Sequence, residues 1–323
     1  MRAFALVFAA MAAAIVLAFV FAGGNGAADR GPLPPLSPEL VAGARVEGPA
    51  AQRAFAAWLA SIPGEPAVPM HARFEAEGLI AHPDGVGEAS RLECTLELAF
   101  ADAHRGSARL DFALQAAGEE PIRLSAGLRA DGETVTCWGD LPGDPGSPRR
   151  CGAFRVQQAV VDEAWRGGGA RLPELLRLTG LPIPIPRDDL PGGWLLMLHP
   201  TTWMSQALPA FECADVSLEG DRLLANLRLR SDATPPPWSA LLPAGIAEPL
   251  HASAVFDART GILTTLILSG PSALTLRASD FEFRAPADLF RVPDGFEPTD
   301  MTPMARMILG RLPQAAGGSE REF

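Results

Sequence analysis

The sequence predicts a protein of the α+β class, built on an antiparallel β-sheet whose single apolar face is covered by helices. Two observations support this prediction. Apolar and polar residues alternate along several consecutive segments, which is the period of a strand with one solvent-facing side. The series is interrupted by a stretch rich in leucine, proline and tryptophan, part of which has helical spacing. A sheet with one apolar side must cover it, so helices are expected to pack there.

Residues 1–28 are expected to be an export segment. Arg2 precedes an uncharged run from Phe4 to Ala22, which as a helix would span about 28 Å at roughly 1.5 Å per residue. Small residues up to Ala28 offer signal-peptidase sites, whereas the single charge and the length of the run also suit an uncleaved membrane anchor. Both alternatives predict a periplasmic or otherwise extracytoplasmic chain, and the second adds attachment to the inner membrane.

The folded domain is expected to cover residues 49–300, after a proline-stiffened tether at residues 29–48. Its first element is predicted to be a helix from Pro49 to Ser61, because apolar side chains recur there at spacings of three and four. A strand from Met70 to Ile80 is predicted to follow, with Phe74 as its largest apolar anchor.

The clearest strand pattern lies between Ser90 and Arg129. Every even position from Leu92 to Phe100 is apolar, and the same parity returns from Leu110 to Leu114 and from Ile122 to Leu128. Three consecutive strands are therefore predicted to share one hydrophobic face. A fourth strand is predicted from Glu133 to Trp138.

A helical insertion is expected over about residues 152–209, with short helices around Val160, after Pro173 and from Pro200 to Leu208. The two-residue period then resumes at Glu212 and continues through further strands to Phe283. A bulge is predicted between Ala278 and Phe281, where the alternation changes phase. A last short strand is predicted at Leu289 to Val292, and residues 301–323 are expected to form a short helix and a polar tail.

The composition argues against several classes of function. The chain has no Lys and no Tyr, which excludes Schiff-base lysines, Walker-type phosphate lysines and phenolic acid–base catalysis. The histidines are scattered without metal-ligand spacing, so no catalytic residue, metal site or cofactor is predicted and the protein is not expected to be an enzyme. A net charge of −11 without a run of basic residues argues against nucleic-acid binding.

The four cysteines would face an oxidising compartment if the chain is exported. Cys137 and Cys151 flank a turn-rich loop, so a disulfide between them is predicted, with Cys94 and Cys213 paired by elimination. The alternative is that Cys94, on the apolar side of its strand, is a small buried hydrophobe with a free thiol.

The closing segment of the chain resembles a known family. Its motifs run from Asp257 to Leu263, through Phe281-Glu282-Phe283 and from Leu289 to Glu297, and a helix precedes the first strand. This combination is similar to the periplasmic lipoprotein carrier (LolA/LolB-like) superfamily, whose closing strands carry an aspartate and a glycine, then F-x-F, then a phenylalanine followed by proline and glycine. The resemblance implies a curved half-barrel whose concave face is covered by lid helices and can hold acyl chains.

A ligand-binding site is predicted where tryptophans of the lid face the apolar side of the sheet, with ordinary core packing as the alternative for these residues. The predicted function is an extracytoplasmic binding protein, carrier-like or sensor-like, for lipid or lipoprotein acyl chains. The alternative is a membrane-anchored module that docks an envelope protein without a ligand. The predicted ligand-binding residues are Trp58, Leu96, Leu98, Phe112, Leu124, Trp165, Trp194 and Trp203.

Overall fold

A computed structural model describes residues 43–61, 68–80, 88–141, 150–166, 211–230, 251–258, 261–269 and 273–311. The strands of this part of the chain are β1 (Arg45–Glu47), β2 (Met70–Ile80), β3 (Ser90–Phe100), β4 (Arg105–Gln115), β5 (Ile122–Asp131), β6 (Thr134–Leu141), β7 (Arg150–Gln157), β8 (Phe211–Glu219), β9 (Arg222–Leu229), β10 (His251–Asp257), β11 (Leu263–Ser269), β12 (Ala273–Glu282) and β13 (Thr299–Asp300). The helices are α1 (Gly48–Ser61), α2 (Gln158–Arg166) and α3 (Thr302–Arg311), with a 3-10 helix at Ala287–Phe290.

These strands form one large, curved and unclosed sheet in the order β1-β8-β9-β10-β11-β12-β2-β3-β4-β5-β6-β7-β13. Neighbouring strands run antiparallel, except that β13 lies parallel to β7. Two meanders, β2 to β7 and β8 to β12, are joined where β12 pairs with β2. The antiparallel sheet predicted from the sequence is therefore confirmed.

The strand register confirms that the predicted apolar positions share one face, which we call the inner face. Leu96 of β3 lies opposite Phe74 of β2 and Leu110 of β4, while Phe112 of β4 lies opposite Leu124 of β5. The same face continues across the second meander through β10, β11 and β12. Its buried side chains form one contiguous core.

The helices cover the two ends of this sheet. α1 packs against β8 and β1 and buries Ala51, Ala54, Phe55 and Trp58. α2 packs against β6, β7 and α3. The start of α3 is held by Thr302, whose backbone N–H donates to the Asp300 carboxylate at 2.9 Å.

The opposite face of the sheet, the outer face, is crossed by the chain between β12 and β13, residues 283–298, which we call the strap. Its 3-10 helix contacts β4 and β5. The outer-face residues His71, Ala99, Ser107 and Thr136 are buried, whereas Arg91, Arg109 and Arg123 on the same face are exposed. The buried residues belong to one register-paired row that runs from Glu282 through His71, Ala99, Ser107, Arg129, Thr136 and Arg155 to Asp300. The strap therefore covers the middle of this row, while Arg155 and Asp300 at its end are exposed.

Several predicted elements match the structure and others do not. The first helix, the strand from Met70 to Ile80 and the helix after Met301 are confirmed. The bulge is confirmed as a register shift between Ala278 and Asp280. The strand predicted at Leu289 to Val292 is wrong, because a 3-10 helix occupies that place. Strand β7 was not predicted, and it takes up residues that were assigned to the helical insertion.

The predicted disulfide between Cys137 and Cys151 is wrong, since the Cys137 thiol is free and buried. On β7 the residue opposite Cys137 is Phe154, and Cys151 lies opposite Asp140. An offset of three residues is about 10 Å along a strand, which is farther than a disulfide can bridge. The pairing of Cys94 with Cys213 is also wrong, because both thiols are free.

Within the described residues, no helix is long and apolar enough to cross a membrane. The run from Phe4 to Ala22 lies outside those residues, as do the proposed helices after Pro173 and from Pro200 to Leu208.

Candidate functional site

The inner face of β3, β4 and β5 carries four of the predicted ligand-binding residues. Leu96, Leu98, Phe112 and Leu124 are 2%, 0%, 3% and 3% exposed. They are neighbours because the register places Leu96 next to Leu110 and Phe112 next to Leu124. The residues therefore form one apolar surface, as their alternation in sequence predicts.

Trp58 also lies on the inner side of the sheet. Its ring centroid is 5.7 Å from that of Phe55 on the same helix and 5.0 Å from that of Phe256 on β10. In the order of the sheet, β10 is separated from β3 by β11, β12 and β2. Trp58 and the four residues of β3 to β5 belong to one contiguous core, and a single ligand pocket shared by them stays a prediction.

The other predicted tryptophans are not located by the structure. Trp165 belongs to α2, but its side chain lies outside the described part of the chain. Trp194 and Trp203 also lie outside the described residues.

The inner face is lined by apolar side chains, and it also disfavours negative charge. Burial raises the pKa of the Cys94 and Cys137 thiols from 9.0 to about 12. Burial, followed by the charge of Asp215, raises the pKa of Cys213 to about 12 as well. Each shift means that a negative charge is disfavoured at that position. The thiols are therefore poor nucleophiles, and the inner face suits uncharged hydrocarbon.

The buried polar side chains of the described strands lie on the outer face. They are His71, Ser107 and Thr136, which belong to the row beneath the strap. His71 Nε2 is 3.1 Å from Glu97 Oε1. This separation of polar and apolar groups leaves the inner face without an ionisable pair in the described strands.

Some buried donors nevertheless have no acceptor among the described residues. They are the indole Nε1 atoms of Trp58 and Trp138 and the Nε atom of Arg129. Trp138 lies on the outer face over Gly127, whereas Trp58 lies on the inner side. No sequence pattern marks these donors, because the environment of an indole N–H depends on residues that are distant in sequence.

An open pocket of about 740 Å³ lies beside the first turn of α1 and the ends of β8, β9 and β10. Several outer-face side chains in its lining bind one another. Asn226 donates to Asp215 at 2.9 Å, Ser253 donates to Asn226 at 2.6 Å, and Arg228 donates to Glu212 at 2.6 Å. The lining also includes Gln52 of α1 and the inner-face residues Cys213, Leu227 and Ala252, so the pocket lies at this end of the sheet and is bordered by both faces.

Metal-ligating side chains do not gather in the described ranges, where no three His, Cys, Asp or Glu residues lie close enough together to hold an ion.

No family model matches the sequence, and no curated protein matches it. Among solved structures, the chain is similar to a β-barrel-like protein of a domain of unknown function (DUF1849) from Brucella abortus, with 9% identity over 67% of this chain and 98% of that one, at a TM-score of 0.27. It is also similar to a domain from Vibrio parahaemolyticus named for outer membrane lipoprotein sorting, with 10% identity over 69% of this chain and 88% of that one, at a TM-score of 0.21. Neither TM-score is high enough to support an argument about fold or function, so the LolA-like resemblance stays a prediction.

Proposed function

We propose that the protein is an extracytoplasmic binding protein that holds a hydrophobic ligand, a lipid or an acyl chain, against the inner face of its half-barrel sheet. The observation that carries the proposal is the continuity of that face. Apolar side chains follow one another from β8 through β12 and β2 to β7, in register across each strand pair.

The length of this face supports a binding role. A solid core needs only enough apolar surface to pack two layers together. Here the described helices pack chiefly on the end strands, α1 on β8 and β1 and α2 on β6 and β7. The central strands, which carry Leu96, Phe112 and Leu124, are where an acyl chain would lie in place of lid side chains.

The compartment is inferred from the sequence. The uncharged run from Phe4 to Ala22 would export the chain, and it would anchor the chain in the inner membrane if it is not cleaved. A binding role without catalysis fits the buried, weakly acidic thiols and the scattered histidines. Lipoprotein acyl chains and free lipids are both candidate ligands, and nucleic acid is not, given the net charge of −11.

The test is native mass spectrometry of the full chain, exported to a periplasm and purified without detergent, with lipid extraction of the same sample. An added mass that extracts as lipid would support the proposal and identify the ligand. A bare chain mass that stays unchanged after incubation with lipid vesicles would refute it.

The second candidate function is a membrane-anchored module that docks an envelope protein without a ligand. It is favoured by the proline-rich part of the predicted tether that precedes β1, which would hold the folded domain away from a membrane anchor. Crosslinking in intact envelopes distinguishes the two proposals. A specific protein adduct on a lipid-free chain would favour docking, whereas a lipid-loaded chain without an adduct would favour binding.

A further inference from the structure

One hydrogen-bond donor stands out on the inner side of the sheet. Trp58 is 2% exposed, and its indole Nε1 has no acceptor among the described residues. A buried N–H without an acceptor is destabilising, and native proteins rarely leave one unpaired. The indole is held in place on both sides by Phe55 and Phe256, with ring centroids 5.7 and 5.0 Å away.

The two aromatic rings that pack against Trp58 offer no hydrogen bond to an ordered water. A buried water normally needs two to four polar partners. The indole N–H supplies one, and the phenyl rings of Phe55 and Phe256 supply none. A ligand with an acceptor oxygen on a hydrocarbon chain would accept the hydrogen bond from Trp58 Nε1, and its chain would make the other contacts with the aromatic rings.

We propose that the Nε1–H of Trp58 donates a hydrogen bond to the carbonyl oxygen of a bound acyl ester. The inference rests on the proposed function and deepens it, because it narrows the ligand from any hydrophobic molecule to one with a carbonyl group at the end of its chain. The ester is preferred to a free carboxylate for an electrostatic reason. The rings of Phe55 and Phe256 beside the indole offer no hydrogen-bond donor, so a carboxylate there would lose its hydration without a charged or polar partner from them.

The experiment compares two fluorescent probes on the full chain. The methyl ester of cis-parinaric acid has a carbonyl oxygen, whereas diphenylhexatriene is a hydrocarbon with no acceptor. Trp58→Phe keeps an aromatic ring beside Phe256 but removes the N–H. We expect this variant to bind the ester about 5- to 10-fold more weakly, which corresponds to one neutral hydrogen bond, and to bind diphenylhexatriene within about twofold of the unaltered chain.

The matched control is Trp138→Phe, which removes the unpaired indole N–H on the outer face. It should leave the affinity for both probes unchanged. Equal weakening of both probes by Trp58→Phe would mean that the ring shape matters and not the N–H, and would overturn the inference. Free cis-parinaric acid serves as a third probe, and tighter binding of the acid than of the ester would overturn the preference for an uncharged ligand.

A second measurement does not depend on the stability of the Trp58 variant. In the ¹⁵N-labelled full chain, the indole resonance of Trp58 is assigned by exclusion, using Phe variants at the other tryptophans. Added ester should shift this proton downfield, and diphenylhexatriene should not. An ester that binds without moving the resonance overturns the inference and leaves the proposed function standing. If neither probe binds the unaltered chain, the proposed function and the inference both fail.

Discussion

Alkaline pH should destabilise the protein through its buried thiols, and the composition makes this effect unusually easy to isolate. The chain has no Lys and no Tyr, so cysteine is the side chain expected to titrate between about pH 9 and pH 12. The thiols of Cys94, Cys137 and Cys213 have their pKa raised from 9.0 to about 12 by burial in the folded protein.

The sign and size of the effect follow from proton linkage. A pKa raised by folding contributes stability that is complete below pH 9.0 and is lost as the pH rises towards about 12. Above pH 9.0 the thiols of the unfolded chain lose protons that the thiols of the folded chain retain. At pH 10 each thiol should lower the free energy of unfolding by on the order of 1 kcal/mol, and the three together by roughly 3–4 kcal/mol, relative to pH 8.

The assay is urea unfolding at pH 8 and pH 10 in the presence of a reductant, with thiolate absorbance near 240 nm followed in parallel. A variant with alanine at Cys94, Cys137 and Cys213 should lose most of the difference between the two pH values. Cys151→Ala, at the fourth cysteine, is the control variant for the triple alanine variant. A triple variant that keeps the full alkaline loss, or a folded chain whose thiolates form near pH 9, would refute the reasoning.

Two further substitutions test the packing of the outer face and the attachment of α3 to the end of β7. In Gly127→Ala the new methyl group would lie 2.1 Å from Trp138 Cζ2, so we expect the free energy of unfolding in urea to fall by about 1–3 kcal/mol. The control is Gly152→Ala, where the methyl group would meet no atom within 4 Å and should cause no such loss. Equal losses in the two variants would contradict the close contact between Gly127 and Trp138. Thr302→Val removes the hydroxyl that accepts a hydrogen bond from the Gln157 backbone N–H at 3.0 Å, so we expect the free energy of unfolding to fall by about 1–3 kcal/mol. Thr302→Ser keeps this acceptor and should have nearly unchanged stability. A serine variant as unstable as the valine variant would show that the methyl group of Thr302 matters and not its hydroxyl.

Much of the sheet could be predicted because alternation is a local property. Leu92 to Phe100 and Ile122 to Leu128 carry a two-residue period that is visible without knowing any neighbour. The pairing of Leu96 with Leu110 and of Phe112 with Leu124 follows from consecutive antiparallel strands joined by short turns. The inner face of β3 to β5 was therefore predicted together with its residues.

Strand β7 could not be found in this way. Its sequence from Arg150 to Gln157 contains Gly152 and lacks a clean alternation, and it becomes a strand by pairing with β6 and β13. The same pairing explains the wrong disulfide, since the register places Phe154 opposite Cys137. Spacing between cysteines carries no information about that register.

The predicted site residues that the structure describes are apolar and buried, while their sharing of one pocket stays a prediction. Trp58 and Leu96 were expected to face each other across that pocket. The order of strands puts three strands between β10, which Trp58 contacts, and β3, which holds Leu96. That order depends on β12 pairing with β2, which joins the two ends of the chain.

The sequence by itself determined that this protein has a one-sided antiparallel sheet, a low content of reactive side chains and an uncharged segment near its start, because each of these is a matter of local period or composition. The tertiary structure alone decided which strands are neighbours, that residues 283–298 cross the outer face, and that the Trp58 N–H is left without an acceptor among the described residues. These features depend on contacts between residues far apart in the chain, whose energies are set by register and burial and leave no periodic trace in the sequence.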